Sequence, residues 1–228
     1  MHVPRERMLG VEGGHRYGIV LAVALVTVVF LIIAPESSWS PAIGLLLSGG
    51  MLLTVVVTSR GDLELRKRAS LALAVATLAV FAAVGFEWIP QGVGAIVSAV
   101  LVLVTLVQLV RGLAVLLGAH GVTVQAVAGA LAVYLLVGIV FSFVISAMAK
   151  LGPGPYFAQG TDGSASQRVY FSFTSMTTTG YGDLSPATRG GRAVAVLEML
   201  TGQIYLVTVI SLLVGNLRRR RDDETGAA

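Results

Sequence analysis

The chain has 228 residues, 55% hydrophobic and 12% charged, with a formal net charge of +4 and a mean hydropathy of +0.84. Soluble domains carry about 25% charged residues, so this chain has about half the usual means of facing water. It has no cysteine, which excludes a disulfide-stapled module, a thiolate metal site and a cysteine nucleophile. Its positive charge is scattered among apolar runs, which excludes a nucleic-acid surface and leaves a polytopic membrane protein.

A hydrocarbon core about 30 Å thick needs about 20 helical residues. Six apolar runs meet that need: Tyr17 to Ala34, Pro41 to Thr58, Ala69 to Trp88, Val93 to Val110, Val122 to Ala149 and Ala193 to Leu217. Only Glu87, at one end, and Glu198 interrupt them. Arg16 followed by an apolar run imitates a signal peptide, but the run exceeds an h-region of about 7–15 residues, and it reads as a retained helix. Arg60, Arg66, Lys67 and Arg68 crowd the second loop, while the loops holding Glu36 and Glu87 have no Lys or Arg. Arg5, Arg7 and Arg16 precede the first helix, Arg111 follows the fourth and Arg218 to Arg221 follow the last. The positive-inside rule then predicts both termini in the cytoplasm of a multi-pass plasma-membrane protein, with 12 of the 16 basic residues inside. Lys150, Arg168, Arg189 and Arg192 fall outside, around one long segment.

No internal repeat of the secondary-transporter kind is present. Lys150 to Gln167 is rich in Gly, Pro and Ser and reads as an external loop. The tail 218–228 is short and polar, and its basic cluster either meets anionic headgroups or is a plain stop-transfer anchor.

Arg168 to Thr177 is apolar and hydroxylic, too short to span a bilayer, and flanked by two spanning helices, so it predicts a re-entrant half-helix. Non-helical backbone at membrane depth is tolerated only where protein buries it or it lines a water-filled path. Thr178, Thr179, Gly180, Tyr181 and Gly182 follow the half-helix directly. Coordinating dehydrated cations in single file requires successive carbonyls to point one way. An extended chain alternates them, so some residues must take left-handed dihedrals, which glycine does without a Cβ penalty. Gly180 and Gly182 supply this, the Thr178 hydroxyl adds an acceptor at the inner end, and Tyr181 braces the loop against the half-helix. A ring of carbonyl dipoles replaces water around a weakly hydrated monovalent ion while still releasing it.

Thr177 to Asp183, TTTGYGD, resembles the potassium-channel signature TxGYGD after a pore helix. Asp183-Leu184-Ser185-Pro186 resembles that family's outer-mouth segment, Gly191-Arg192 the start of its inner helix, and Glu198 to Gln203 the inner-helix pattern of many bacterial ion channels. The resemblance covers Val122 to Leu217. It implies an all-α membrane protein with six transmembrane helices, a re-entrant pore helix and an extended filter. The expected divisions are an N-terminal segment 1–16, a four-helix membrane domain 17–117, a pore domain 118–217 and the tail 218–228. It also implies K⁺ held by the carbonyls of Thr178, Thr179, Gly180 and Tyr181 with the Thr178 hydroxyl. One filter strand per chain cannot surround an ion, so a four-fold homotetramer is implied.

Six spans ending in a pore suggest voltage gating, which requires several Arg or Lys in the fourth helix, at about 2.3 kcal/mol per charge per 100 mV. Val93 to Val110 has none, and Arg111 reads as an interfacial anchor. No EF-hand or dinucleotide fingerprint is present to control a gate. His120 reads as a solvated bystander, with a sensor of internal pH as the alternative.

Asp183 either concentrates cations or bonds to the pore helix, with Tyr170 as the expected partner. Thr174 stands where some potassium channels place a carboxylic acid, and Thr177 and Thr174 join Tyr170, Asp183 and Glu198 as filter supports. Glu198, an ionisable group inside an apolar helix, is expected behind the filter near Thr174 or Ser175, protonated or hydrogen-bonded, or else close enough to the interface to be hydrated. Gly202 is either the inner-helix hinge or a site of close packing. Leu206, Ile210 and Val214 recur at helical spacing and either line the cavity or face lipid. The sequence thus predicts a K⁺-selective channel that is not voltage-gated and not an enzyme. A weakly selective cation channel, suggested by Thr179 in a position usually aliphatic, and a non-conducting pore-like subunit are the alternatives.

Overall fold

The computed structural model describes residues 14–33, 35, 39–58, 63–86, 88–211 and 213–216. The basic cluster 218–221, the rest of the tail and all of 1–16 but its last three residues lie outside them. Seven α-helices follow in order: α1 (Gly14–Ile33), α2 (Ser40–Thr58), α3 (Leu63–Gly85), α4 (Gln91–His120), α5 (Val124–Leu151), α6 (Ala165–Met176) and α7 (Arg189–Ile204). The last continues through a π-helical stretch, Tyr205–Ile210. Among the described residues there is no strand, only isolated bridges from Phe157 to Thr161 and Pro186.

Among the described residues three helices are long and apolar enough to cross a membrane, within Gly92–Gly118, Val124–Leu151 and Arg189–Asn216. The apolar parts of α1, α2 and α3 are shorter: Tyr17–Ile33, Ala42–Val56 and Ser70–Gly85. Large aliphatic side chains such as Val26, Leu71 and Val107 remain exposed on these helices, as befits a surface whose solvent is lipid. Hydroxyls in the same helices bond back to the carbonyl four residues earlier. Thr27 bonds to Val23, Ser48 to Gly44 and Thr105 to Leu101, each at 2.8 Å, which satisfies them without water.

Three boundaries differ from those read in the sequence. Helix α3 starts at Leu63 and takes Arg66, Lys67 and Arg68 into its first turns, because a helix continues past its apolar stretch while no breaker intervenes. Helix α4 runs nine residues past Arg111, to His120. About 30 Å of helix precedes Arg111, so the exposed guanidinium sits one core thickness along α4 rather than at its end. Helix α6 begins at Ala165, three residues before Arg168.

Helices α4 and α5 form an antiparallel hairpin closed at Gly121, φ 65°, with Thr123 capping α5 by accepting from Ala126 N at 3.2 Å. Leu151 of α5 packs at Gly92 of α4, and at the opposite end Leu113 of α4 packs at Gly129 of α5. Helix α1 lies along α5 and also reaches α6, where Ser166 donates to the Ile32 carbonyl at 2.6 Å. The α1–α2 and α3–α4 connections thus share one end of the bundle with the segment between α5 and α6. That end carries an aromatic cluster, Trp39 against Phe81 and Phe86, and Phe86 against Trp88, with ring centroids 5.6–5.9 Å apart, the composition of a membrane interface. The main core joins Val20, Ala24 and Leu31 of α1 to Val102 and Leu109 of α4, to Leu136, Ile139 and Phe143 of α5 and to Val169 of α6.

Two glycines bring the helices around α6 into contact. A Cβ at Gly138 of α5 would lie 2.8 Å from the Phe173 ring, and one at Gly202 of α7 would collide with the carbonyl oxygen of Met176, the last residue of α6. Gly50 of α2, by contrast, has open space around it. Gly202→Ala is therefore expected to lower the midpoint of thermal unfolding in detergent, at a cost of about 1–3 kcal/mol. Gly50→Ala should leave the midpoint unchanged or raise it, by up to about 1 kcal/mol.

Candidate functional site

The segment between α5 and α6 packs on two of its own aromatic residues. Phe157 is fully buried, with its ring 5.0 Å from Tyr156 and 5.3 Å from Phe171 of α6, both edge-on. Burial pushes the Tyr156 phenol up to about 12, with nearby Glu198 as the second cause. Ala158 N donates to Ser185 O and Ala187 N to Tyr156 O, both at 2.8 Å, so this segment is stitched to the stretch that descends after the TTTGYGD motif. Arg168 is buried. Its Nε donates to Ser146 Oγ at 2.8 Å, and its Nη1 to the carbonyls of Asp162 and Gly163. A guanidinium with five donors suits a ring of neutral acceptors where a solvated surface is lacking.

Helix α6 opens with a capping box: Gln167 N donates to Ser164 Oγ at 3.1 Å and Ser164 N to Gln167 Oε1 at 2.8 Å. The Ser-x-x-Gln spacing is the sequence signal for this start. The helix buries Val169, Phe171, Ser172, Ser175 and Met176 and ends at Thr177, whose hydroxyl returns to Phe173 O at 2.7 Å.

Beyond Thr177 the backbone is left-handed at every second residue: Thr178 at φ 57°, Gly180 at 53° and Gly182 at 81°. This alternation turns successive carbonyls toward one side instead of opposite sides. Two of the three positions are the expected glycines. The third is Thr178, the one non-glycine with positive φ among the described residues, which costs about 1–2 kcal/mol. Its neighbourhood holds it there. Thr178 N donates to Ser175 O at 2.9 Å, and Thr179 N and Gly180 N donate to Thr174 O at 2.9 and 3.2 Å. The Thr177 and Thr179 hydroxyls pair at 2.9 Å. Gln203 of α7 donates from Nε2 to Thr178 Oγ1 at 3.0 Å. Gln203 is a site residue missing from the sequence-derived set; its signal was an amide inside an apolar helix, next to the glycine that brings α7 onto α6.

Tyr181 stacks on Tyr170 of α6, centroids 6.1 Å apart and planes 6° from parallel. The Tyr170 hydroxyl lies beside the Asp183 carboxylate. Residues 177–183 are all exposed, directly after the buried end of α6. Glu198 is fully buried, but its partner is Ser172 rather than Thr174 or Ser175. Gly202 is buried against Met176, which matches close packing. The helical geometry changes three residues later, in the π stretch whose first residue, Tyr205, donates to Ala130 O of α5 at 2.8 Å. Ile210 packs with Leu113, Ala126, Ala130 and Leu213, Leu206 is half-buried and Val214 is exposed. The exposed face of α7 carries Leu197, Leu200, Ile204 and Val207. Among the described residues no cluster of His, Cys, Asp and Glu could hold a metal. The oxygens offered to a cation are carbonyls and threonine hydroxyls, suited to a hard ion.

Residues 129–219 match the family model described as an ion channel. The Shaker-related potassium channel tsha2 of Oncorhynchus mykiss is 29% identical over 98 residues, 39% of this chain and 20% of that protein. The chain thus covers about a fifth of that relative's length. No solved structure matches the chain. Replacing Gln203 by Leu removes the donor to Thr178. It is expected to lower the stability of the purified protein in detergent by about 0.5–1.5 kcal/mol, read as a lower midpoint of thermal unfolding.

Proposed function

We propose, from the match of residues 129–219 to an ion channel family model and the likeness to a Shaker-related potassium channel, that four copies assemble around one axis and pass K⁺ selectively and passively. The observation that carries this reading is the left-handed backbone at Thr178, Gly180 and Gly182 within a loop that directly follows a short buried helix. In the assembly, carbonyls of Thr178, Thr179, Gly180 and Tyr181 and the Thr178 hydroxyl replace the ion's water. Each copy contributes one side of every ring. Exposure of 177–183 and of the aliphatic face of α7 in the single chain supports burial of both against further copies. Tyr170, Thr174, Thr177, Asp183 and Glu198 support the filter. Leu206, Ile210 and Val214 remain candidate linings of the inner passage, with Gly202 as the point where the inner helix seats on α6.

Helices α1 to α5 and α7 then form six spans in the plasma membrane. Positive charge places both termini in the cytoplasm and the α5–α6 segment outside. Helix α4 holds one formal charge, Arg111, too few for steep voltage gating.

A weakly selective channel is the second reading, favoured by Thr179, whose hydroxyl pairs with Thr177 where an aliphatic side chain would pack. Purified protein in a planar bilayer with K⁺ and Na⁺ on opposite sides separates the two. Reversal near the K⁺ equilibrium potential supports the proposal, reversal near zero supports weak selectivity, and no current at all supports a non-conducting subunit. In the same bilayer, open probability is expected to change little with voltage. Tyr170→Phe, which removes the hydroxyl beside Asp183, is expected to speed the decline of current during sustained opening.

A further inference from the structure

The Ser172 hydroxyl has one proton and two neighbours that both need it. It lies 2.8 Å from the carbonyl oxygen of Gly138 on α5 and 2.5 Å from Glu198 Oε1 on α7. A hydroxyl donates once. If Glu198 is ionised, one of the two contacts sets acceptor against acceptor. If Glu198 carries a proton, both are hydrogen bonds in one direction, Glu198 Oε1–H to Ser172 Oγ and Ser172 Oγ–H to Gly138 O. The surroundings agree with the neutral form. Glu198 is fully buried, its Oε2 has no hydrogen-bond partner, and among the described residues Ser172 is the only group that bonds to it. Burial of an unpaired carboxylate is costly.

The groups facing Glu198 can be named by element. Helix α6 presents Ser172. Helix α5 presents Tyr134, and the α5–α6 segment presents Tyr156; the hydroxyls of both tyrosines are buried without partners. Arg168, a turn earlier on α6, is committed to Ser146 and the Asp162 and Gly163 carbonyls.

We infer that Glu198 is a proton-binding site: one bound proton runs a hydrogen-bond chain from α7 through α6 to α5, and its loss from the outer side releases the pore helix and lowers conduction. The second clause rests on the channel reading of the preceding subsection. No covalent step is involved; the proton leaves to hydroxide or buffer base, and the carboxylate left behind competes with Gly138 for the Ser172 hydroxyl. The device differs from a carboxyl on the pore helix itself, since position 174 is threonine here and the acid reaches α6 from α7.

The test uses the full-length protein, and two readouts keep the clauses apart. Infrared spectra of the purified protein at neutral pH should contain the carbonyl stretch of a neutral carboxylic acid, absent from Glu198→Gln and shifted in Ser172→Ala. Spectra with carboxylate bands only would overturn the site, and Ser172→Ala decides the matter if Glu198→Gln fails to assemble. In vesicles, K⁺ flux through the wild type should fall about tenfold as the outer pH goes from neutral to strongly alkaline, a 1.4 kcal/mol change in the equilibrium of the intact filter. Flux through Glu198→Gln, whatever its level, should not vary with pH, because the amide keeps donating to Ser172. An equal pH dependence in both proteins would overturn the gating clause. A wild type that passes no K⁺ at any pH while showing the acid band would overturn the channel reading and leave the proton site standing.

Discussion

Everything around the loop 177–183 depends on how closely the short helix α6 is gripped. Its far end touches α7 backbone to backbone at Gly202, and its middle meets α5 at Gly138, where the Phe173 ring occupies the space of a missing side chain. These contacts remove the gap in which a half-helix at membrane depth would leave polar groups unsatisfied. They also set the distances at which Gln203 reaches Thr178 and Glu198 reaches Ser172. Neither glycine serves a turn; both lie inside helices, where glycine is otherwise unfavourable by roughly 1 kcal/mol, and close packing offsets that.

The loop after α6 stores strain at one residue and surrounds that residue with constraints. Thr178 is left-handed without being glycine, a conformation that persists when neighbours over-determine it. Its amide is tied to α6, its hydroxyl to α7, and the next two amides to the Thr174 carbonyl. Threonine at this position carries a hydroxyl that glycine lacks and that accepts from Gln203, so the backbone strain and the extra oxygen come from the same choice. On the outer side the Tyr170–Tyr181 stack and the pairing of the α5–α6 segment with Ser185 to Ala187 hold the other end.

Polar chemistry is scarce in this chain and is concentrated in few places. Arg168 is spent on neutral acceptors that organise the outer segment. The hydroxyls of Thr27, Ser48 and Thr105 close on their own helices. The polar contacts that cross between helices cluster around α6, through Ser166, Ser172 and Gln203, with Tyr205 joining α7 to α5. In an apolar medium such contacts have no competing water, so they specify how helices meet more than they add to stability.

How much could be read without coordinates follows from the range of each interaction. The apolar runs, the short helix between two long ones, and the need for Gly180 and Gly182 at positive φ are local properties of the chain, and the sequence alone determined them. The starts of α3 and α6 and the continuation of α4 to His120 were missed because a helix follows caps and breakers, not the edge of an apolar run. The close packing of Gly202 against the Met176 carbonyl is visible only with α6 in place. The left-handed Thr178, its partner Gln203, the burial of Arg168, and Ser172 as the partner of Glu198 required the tertiary structure. Each joins residues from elements whose distance apart is set by packing, and a glycine's missing side chain reveals what it makes room for only when the neighbouring helix is in place.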